Sequence, residues 1–295
     1  MKILVFGAGG QVGRETCRAA WPSRYVIACP DRKTIDITRS AAVSEILRRE
    51  RPDLVINLAA FTSVDRAESE PHAAWAANCA GAAHIAAACD ETAAALIHLS
   101  TDYVFNGRKS GPYEEKDKVD PLGVYGRSKE AGERAVRAAL AHHVILRTAW
   151  VFGASGTNFV KTMLQLDGER RVLRVVADQR GTPTAAADIA AALITIAEAI
   201  ERGEAVWGTY HFAGDTPISW HGFAGAIFEL AAPRHRSRPE VVPITTDQYP
   251  TPACRPINSV LDCRRIGKTF GIAPSPWRAS LAAVLRELLD GPVQR

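Results

Sequence analysis

None of the six cysteines stands in a C-x-x-C pair or near a histidine at zinc-finger spacing. That argues against a structural zinc site and against a dithiol redox motif. Cys17, Cys29, Cys79, Cys89, Cys254 and Cys263 fall mostly in stretches that look like strands or helices. They are expected to be small buried thiols in a reducing compartment. No basic run is interleaved with aromatics, and the net charge is only +4, so no nucleic-acid partner is expected. The apolar run of "MKILVFGAGG" is too short for a signal peptide. The longest apolar stretch, 185–200, carries Asp188 and Glu198 and is short for a membrane span, so it is expected to be a core helix. No membrane partner is expected, and the cytoplasm is the expected location. Internal repeats and low-complexity tracts are absent as well.

What is present is an alternation. Hydrophobic residues make up 47% of the chain and charged residues 23%, a globular balance. Short apolar runs at 2–6, 25–29, 53–60, 94–100 and 143–152 are separated by helix-length segments at 10–21, 39–50, 67–91 and 121–141. Strands apolar on both faces, spaced by helices, predict an α/β fold with a doubly wound, Rossmann-like parallel sheet. Beyond about residue 150 the rhythm loosens. Helices are expected at 157–166, 185–201, 219–230 and 277–289, strands at 172–178 and 208–214, and the 232–262 region is rich in Pro and Arg. The expected division is a dinucleotide-binding domain over 1–152, with a returning segment near 172–200. A smaller α/β lobe, mainly for substrate, takes up 153–295.

The first apolar run ends in "VFGAGGQVGRE", with Gly7, Gly10 and Gly13 spaced G-x-x-G-x-x-G and Gly9 in addition. A tight glycine turn that opens a helix lets backbone approach a pyrophosphate at the helix N-terminus. At the second run, Asp31 is placed to accept from an adenosine ribose, which favours NAD. Arg32 and Lys33 are placed to hold a 2′-phosphate, which favours NADP. Both signals stand, with a lean to NADP(H). Asp36 suits either an adenine neighbour or a helix-capping acid. Ala59 and Ala60 are small enough for backbone to lie against a cofactor.

The fourth run ends in "HLSTDYVFNG", which puts Ser100, Thr101 and Asp102 at the carboxyl end of a parallel strand, where such sheets bind ligands. "VYGRSKEAGE" follows at 124–133. Tyr125 and Lys129, four residues apart, project from one helix face. A phenol is a poor acid–base catalyst at neutral pH, and a nearby ammonium is expected to lower its pKa. Tyr125 then reads as a general acid with Thr101 as hydrogen-bonding partner, a chemistry suited to hydride transfer onto a ketone. Gly126 and Gly132 each cost about 1 kcal/mol in a helix, which suggests that something approaches this helix closely.

"GAGGQVG", "STDYVFNG", "PYEEKD", "PLGVYGRSKEAGE" and "RTAWVFG" together resemble the extended short-chain dehydrogenase/reductase superfamily. "GQVG", "TSVDRAESEP", "NFVKTML", "DQRGTPT" and "YPTPACRPINSVLD", in order along the chain, resemble its dTDP-4-dehydrorhamnose reductase family. The resemblance implies that Tyr125 donates the proton, with Lys129 as its partner and Thr101 tuning the proton's position. It places Gly10, Gln11, Val12, Asp36, Ile37, Ala60, Phe61 and Thr62 at cofactor positions. Thr101, Asp102 and Trp150 fall at nucleotide-sugar positions, and Arg255 faces a pyrophosphate. Phe61 stands where the family often carries His. Family members can bind magnesium; Glu15 is placed for that, but the second acid expected near 187 is Ala187, with Asp188 beside it, so no complete metal site is expected. The implied activity is reduction of the C4 ketone of dTDP-4-dehydro-β-L-rhamnose to dTDP-β-L-rhamnose with NADPH or NADH, by a possible homodimer. The alternatives are a reductase of another nucleotide-linked 4-keto-6-deoxysugar, and a non-catalytic subunit resembling the regulatory subunit of methionine adenosyltransferase.

Overall fold

The computed structural model describes residues 1–167, 170–232 and 239–290; part of the Pro- and Arg-rich run lies outside them. The first half alternates as its apolar spacing dictates: β1 (Lys2–Phe6), α1 (Gln11–Arg18), β2 (Val26–Ala28), α2 (Ser40–Glu50), β3 (Leu54–Asn57), α3 (Val64–Ser69), α4 (Pro71–Trp75), α5 (Gly81–Thr92), β4 (Ala95–Thr101), α6 (Val124–Ala139) and β5 (His143–Thr148). The second half holds β6 (Val151–Phe152), α7 (Phe159–Asp167), β7 (Val172–Val176), β8 (Arg180–Gly181), β9 (Thr184–Ala185), α8 (Ala186–Glu201), β10 (Gly208–His211), β11 (Ile218–Ser219), α9 (Trp220–Ala231), β12 (Glu240–Ile244), α10 (Arg264–Phe270) and α11 (Trp277–Asp290).

Six strands form one sheet in the order β2-β1-β3-β4-β5-β10, every pair parallel. Strands β3 and β5 are buried along their whole length, because helices cover both faces of the sheet. One face packs α1 and α8 around Ile3, Val5, Ile56, Ile97 and Val144. The other packs α2, α5 and α6 around Leu4, Val55, Leu96 and Ile145. The sequence of strands reverses direction across β1, so the carboxyl ends of β1 and β3 open at a switch point, the place where such sheets hold ligands.

The second half builds its own core from Phe152, Val160, Leu173, Phe223, Trp277 and Leu281. Here β7 pairs with β12 and not with the large sheet. The chain returns to the large sheet through α8, within the segment near 172–200 expected from the sequence, and through β10, just beyond it. An apolar run such as "VLRVV" reads alike in either sheet, and only the partner strand distinguishes them.

Two expected elements are broken. The helix expected over 67–91 becomes α3, α4, a π-helical turn at Ala76–Ala80, and α5. Pro71 restarts the helix at its first turn, where a missing N–H costs nothing. The strand expected over 143–152 is cut at Trp150, whose φ of 47° lies in the left-handed region. That conformation is costly for a bulky residue. It turns the chain out of the sheet so that β6 pairs with β9.

The cysteines also depart from expectation. Cys17, in the last turn of α1, and Cys29, just past β2, form a disulfide. The crossover from α1 to β2 folds back on itself, so two residues 12 apart meet at a Cα separation of 6.4 Å, within bridging range. Among the other four, Cys89 and Cys263 are buried thiols, Cys79 is half-buried and Cys254 is exposed.

Candidate active site

The glycine turn lies at the carboxyl end of β1. Gly7 has φ +84°, and a Cβ there would stand 2.4 Å from the Ala59 nitrogen; a Cβ on Gly13 would stand 2.1 Å from the Gly7 carbonyl. These two glycines let the turn and α1 close on the segment after β3. Gly9 meets nothing within 4 Å, so the mouth of the turn is open where an anionic group would lie against the start of α1. The loop thus fits a dinucleotide pyrophosphate.

The other expected cofactor residues divide. Gln11 reaches across to the smaller lobe: its amide donates to the Thr157 carbonyl at 3.2 Å and accepts from Asn158 at 2.9 Å. The Val12 and Ile37 side chains are buried in the two cores, which leaves only their backbone for a ligand. Asp31 spends one carboxylate oxygen on the backbone and hydroxyl of Thr34, and Asp36 does the same for Thr38. Both therefore serve as local turn-formers here, and their carboxylates lie below the ordinary range because of those bonds. Arg32 is almost fully exposed, with only a 3.9 Å contact to Asp36. Ala60 and Phe61 are partly covered and Thr62 is exposed, along the rim after β3. The Phe61 backbone is clamped at both ends by buried Asn78, whose Oδ1 accepts from Phe61 N at 2.8 Å and whose Nδ2 donates to Phe61 O at 3.0 Å. Sequence reading missed Asn78, which sits in the π-helical turn and carries no motif of its own.

Helix α6 begins at Val124, whose N–H donates to Glu68 of α3 at 2.8 Å; the N-cap itself is Gly123, with no side chain to do this. The helix is held close on two sides. A Cβ on Gly126 would stand 2.2 Å from the Tyr103 carbonyl, and one on Gly132 would stand 2.1 Å from the Asn78 carbonyl. The two helical glycines are there for backbone approach.

At the mouth of β4, the Thr101 hydroxyl donates to Asp102 at 3.0 Å, accepts from Tyr103 N at 3.2 Å, and lies beside the Tyr125 phenol. Lys129 is buried, and its ammonium donates to the Leu99 carbonyl at 2.7 Å. Burial pushes its pKa down to about 8, against the opposing charge of Glu133. The Tyr125 phenol is pushed up to about 12 by burial, with the Thr101 hydroxyl working the other way. This corrects the expectation that the ammonium lowers the phenol: Lys129 is turned to a carbonyl, and desolvation dominates.

Asp102 is sealed. Burial raises it to about 6, and one carboxylate oxygen has no hydrogen-bond partner, although the Ser259 hydroxyl nearby offsets part of that rise. Trp150 donates its indole N–H to Ser259 at 3.1 Å and stacks on Trp220 with ring centres 3.5 Å apart. Its other side meets Gly181, where a Cβ would stand 2.3 Å from the ring. Stacking on Trp220 thus occupies one face of the Trp150 ring, and the residue as a whole is partly buried. Arg255 is held by Asp65, with Nη1–Oδ1 at 3.1 Å and Nη2–Oδ2 at 2.7 Å.

Two cavities meet at Arg255. One, of about 740 Å³, lies between the 106–112 and 254–260 segments. The other, of about 650 Å³, has Tyr103, Phe159 and Trp220 on its wall, with Arg170, Arg174, Gln179 and Arg255. The Tyr103 ring meets the Tyr125 ring edge-on at 5.5 Å, so the second cavity adjoins the reaction centre. Glu15 pairs with Arg18 at 2.6 Å, while Asp188 accepts from Ser275 and Ser280, joining α8 to α11. No cluster of three His, Cys, Asp or Glu side chains occurs among the described residues. No helix among them is long and apolar enough to cross a membrane.

Comparison with known proteins converges on one group. The family model of the RmlD substrate binding domain matches residues 1–289. The chain is 46% identical over 284 residues to the dTDP-4-dehydrorhamnose reductase of Aggregatibacter actinomycetemcomitans, covering 95% of this chain and 97% of the relative. Its fold is similar to the crystal structure of a dTDP-4-dehydrorhamnose reductase from Clostridium acetobutylicum, with a TM-score of 0.91, 37% identity, and coverage of 98% and 99% of the two chains. The Bacillus anthracis dTDP-4-dehydrorhamnose reductase in complex with NADP superposes with a TM-score of 0.89 at 35% identity, covering 97% of this chain and 99% of that one.

Proposed function

The chain belongs to the dTDP-4-dehydrorhamnose reductase family, the family of the RmlD substrate binding domain, and we propose that Tyr125, Lys129 and Thr101 carry its reaction. It is an oxidoreductase dependent on a nicotinamide cofactor. It reduces the C4 ketone of dTDP-4-dehydro-β-L-rhamnose to the alcohol of dTDP-β-L-rhamnose. The observation that carries the residue assignment is the docking of α6 at the carboxyl end of β4, where Lys129 donates to Leu99 O and the Tyr125 ring meets that of Tyr103, whose N–H donates to Thr101, on the same sheet edge as the open glycine turn.

When bound, the nicotinamide supplies the hydride that adds to C4. The chain's own task is the proton. A developing alkoxide is a stronger base than a phenolate, so a Tyr125 that holds its proton throughout the neutral range is the correct starting state for reduction. Thr101 steadies the phenol oxygen. Lys129, one helical turn on, presents a buried ammonium at the β4 edge, where it suits the ribose hydroxyls beside the nicotinamide. Gly9, Gly10 and the start of α1 hold the pyrophosphate. Ala60, Phe61 and Thr62 line the path beyond it. Exposed Arg32 and Lys33 favour a 2′-phosphate, hence NADP(H).

The cavity beside Tyr103 receives the dTDP moiety. Its rings suit a base, and its three arginines suit a diphosphate. The division between a cofactor-holding sheet and a smaller substrate-holding lobe follows from this placement. The reading also includes the cytoplasm as location and, on the family resemblance, a homodimer; light scattering tests the latter.

The test is one assay. Purified protein, a dTDP-4-keto-6-deoxysugar pool made with the 3,5-epimerase, and NADPH or NADH are combined, and nicotinamide absorbance and the product sugar are followed. Tyr125→Phe is expected to lower kcat by roughly 10²–10⁴-fold with cofactor affinity nearly unchanged. Wild-type turnover in that variant would overturn the assignment.

A further inference from the structure

Tyr125 and Lys129 belong to a longer stripe. Four residues beyond Lys129 stands Glu133, on the same face of α6 and fully buried. Both its carboxylate oxygens are occupied. Oε1 accepts from Ser100 of β4 at 2.6 Å and from Arg147 Nε of β5 at 2.8 Å. Oε2 accepts from Arg147 Nη2 at 2.6 Å and from Arg137 Nη1 at 3.0 Å. One side chain therefore ties the helix that carries the proton donor to two strands, and the β4 attachment is the residue next to Thr101.

Arg147 extends the tie. It is itself buried, its guanidinium lies 5.1 Å from the centre of the Phe105 ring, and Nη1 is 3.5 Å from His211 Nε2. His211 is pushed down to about 3 by burial and by Arg147, so it faces Arg147 as a neutral ring. Phe105 stacks on Tyr113 at 4.2 Å, and Tyr113 O contacts His211 Nδ1 at 3.0 Å. The segment leaving Thr101 is thus anchored on the same network.

A buried ion pair is seldom a net source of stability, because desolvating two charges offsets their attraction. A fully satisfied buried network does specify one geometry. Here the geometry specified is the distance between α6 and the end of β4, on which the Tyr125–Thr101 contact depends. We propose that Glu133 is a positioning residue of the reaction, its Arg147-clamped carboxylate setting Lys129 and Tyr125 against Thr101 and supplying the one negative charge that faces Lys129.

The groups around the Lys129 ammonium are the Leu99 carbonyl, His98 of β4 and Glu133 of its own helix, with Tyr125 one turn away. His98 is neutral, held well below its ordinary range by burial and by Lys129. Among the described charged groups, Glu133 is the one whose charge favours the ammonium, beside the hydrogen bond to the Leu99 carbonyl. Removing its charge lowers the pH at which Lys129 loses its proton.

The inference rests on the Tyr125–Lys129 assignment, which Tyr125→Phe tests separately. Its own test uses Glu133→Gln and Glu133→Asp in the full chain. The readouts are kcat against pH with the dTDP-4-keto-sugar pool, NADPH affinity by fluorescence, and folded fraction by circular dichroism. In Glu133→Gln, the alkaline limb of kcat is expected to move down by about one pH unit, with at least a tenfold loss at neutral pH. Glu133→Asp keeps the charge but shortens the reach. It is expected to keep the wild-type limb and lose kcat about fivefold or more, with NADPH affinity within twofold. If Glu133→Gln does not fold, Glu133→Asp decides alone. A folded Glu133→Gln with the wild-type limb overturns the proposal, and so does a Glu133→Asp with wild-type kcat.

Discussion

Asp65 and Arg255, 190 residues apart in sequence, are joined by two hydrogen bonds of 3.1 and 2.7 Å. The pair links α3, at the rim of the glycine-turn side, to the segment that walls the second cavity. Asp65 is pulled below its ordinary range mainly by the Arg255 bond. The Asp65 side chain is 40% exposed, so the pair adds little to stability, on the order of 0–1 kcal/mol. Its weight falls on binding. Arg255→Met is expected to shift Tm by no more than a few degrees and to raise KM for the nucleotide sugar about tenfold, with NADPH affinity unchanged. Steady-state kinetics with each substrate varied in turn checks this.

Lys129 makes activity and stability diverge with pH. Its folded pKa of about 8 lies below the ordinary 10.5. Between those values the unfolded chain binds a proton that the folded chain does not, so this residue's contribution to stability rises with pH across that window. The ammonium proposed to hold the ribose hydroxyls is lost over the same range, so kcat falls. From pH 7 to 10 wild-type kcat is expected to fall while the melting temperature of the wild type relative to Lys129→Met rises, and Lys129→Met is expected to remove the alkaline fall along with most of the activity.

Three helical glycines predict opposite signs. Gly126→Ala and Gly132→Ala press a methyl into backbone carbonyls at 2.2 and 2.1 Å. The helical preference of Ala does not offset that, so a net loss of about 1–2 kcal/mol is expected, and the Gly126 variant also loses activity because Tyr125 is its neighbour. Gly225 in α9 meets nothing within 4 Å, and Gly225→Ala is expected to gain roughly 0.5–1 kcal/mol. Urea denaturation separates the three.

The Cys17–Cys29 disulfide predicts a thiol count. Denatured, unreduced protein is expected to show four free thiols, those of Cys79, Cys89, Cys254 and Cys263. Reduction of so short a loop is expected to cost up to roughly 3 kcal/mol, measured as a lower urea midpoint.

Legibility in the sequence followed the range of the interactions. The parallel sheet was readable because burial on both faces leaves its mark in each strand's own residues. The glycine turn was readable because only glycine tolerates what Gly7 and Gly13 must do. Tyr125 and Lys129 were readable because helical geometry alone places i and i+4 together. Gly126 and Gly132 even announced a close approach, though not that Tyr103 and Asn78 make it.

The tertiary structure decided the rest, wherever a side chain's meaning depends on a partner far along the chain. Asp31 read as a ribose acid and Asp36 as either an adenine neighbour or a capping acid; the fold shows that one oxygen of each is spent on a threonine two or three residues on. Trp150 was expected at a nucleotide-sugar position, and only the fold shows that one of its ring faces is stacked on Trp220. Arg255 was expected to face a pyrophosphate, and only the fold shows that Asp65 holds its guanidinium. Glu133 and Arg147 carried no signal of their own, because nothing local tells a helix carboxylate that it will be buried against a strand arginine 14 residues later. Charge state followed as well. The spacing of Tyr125 and Lys129 implied a lowered phenol, whereas burial, which no spacing encodes, raises it.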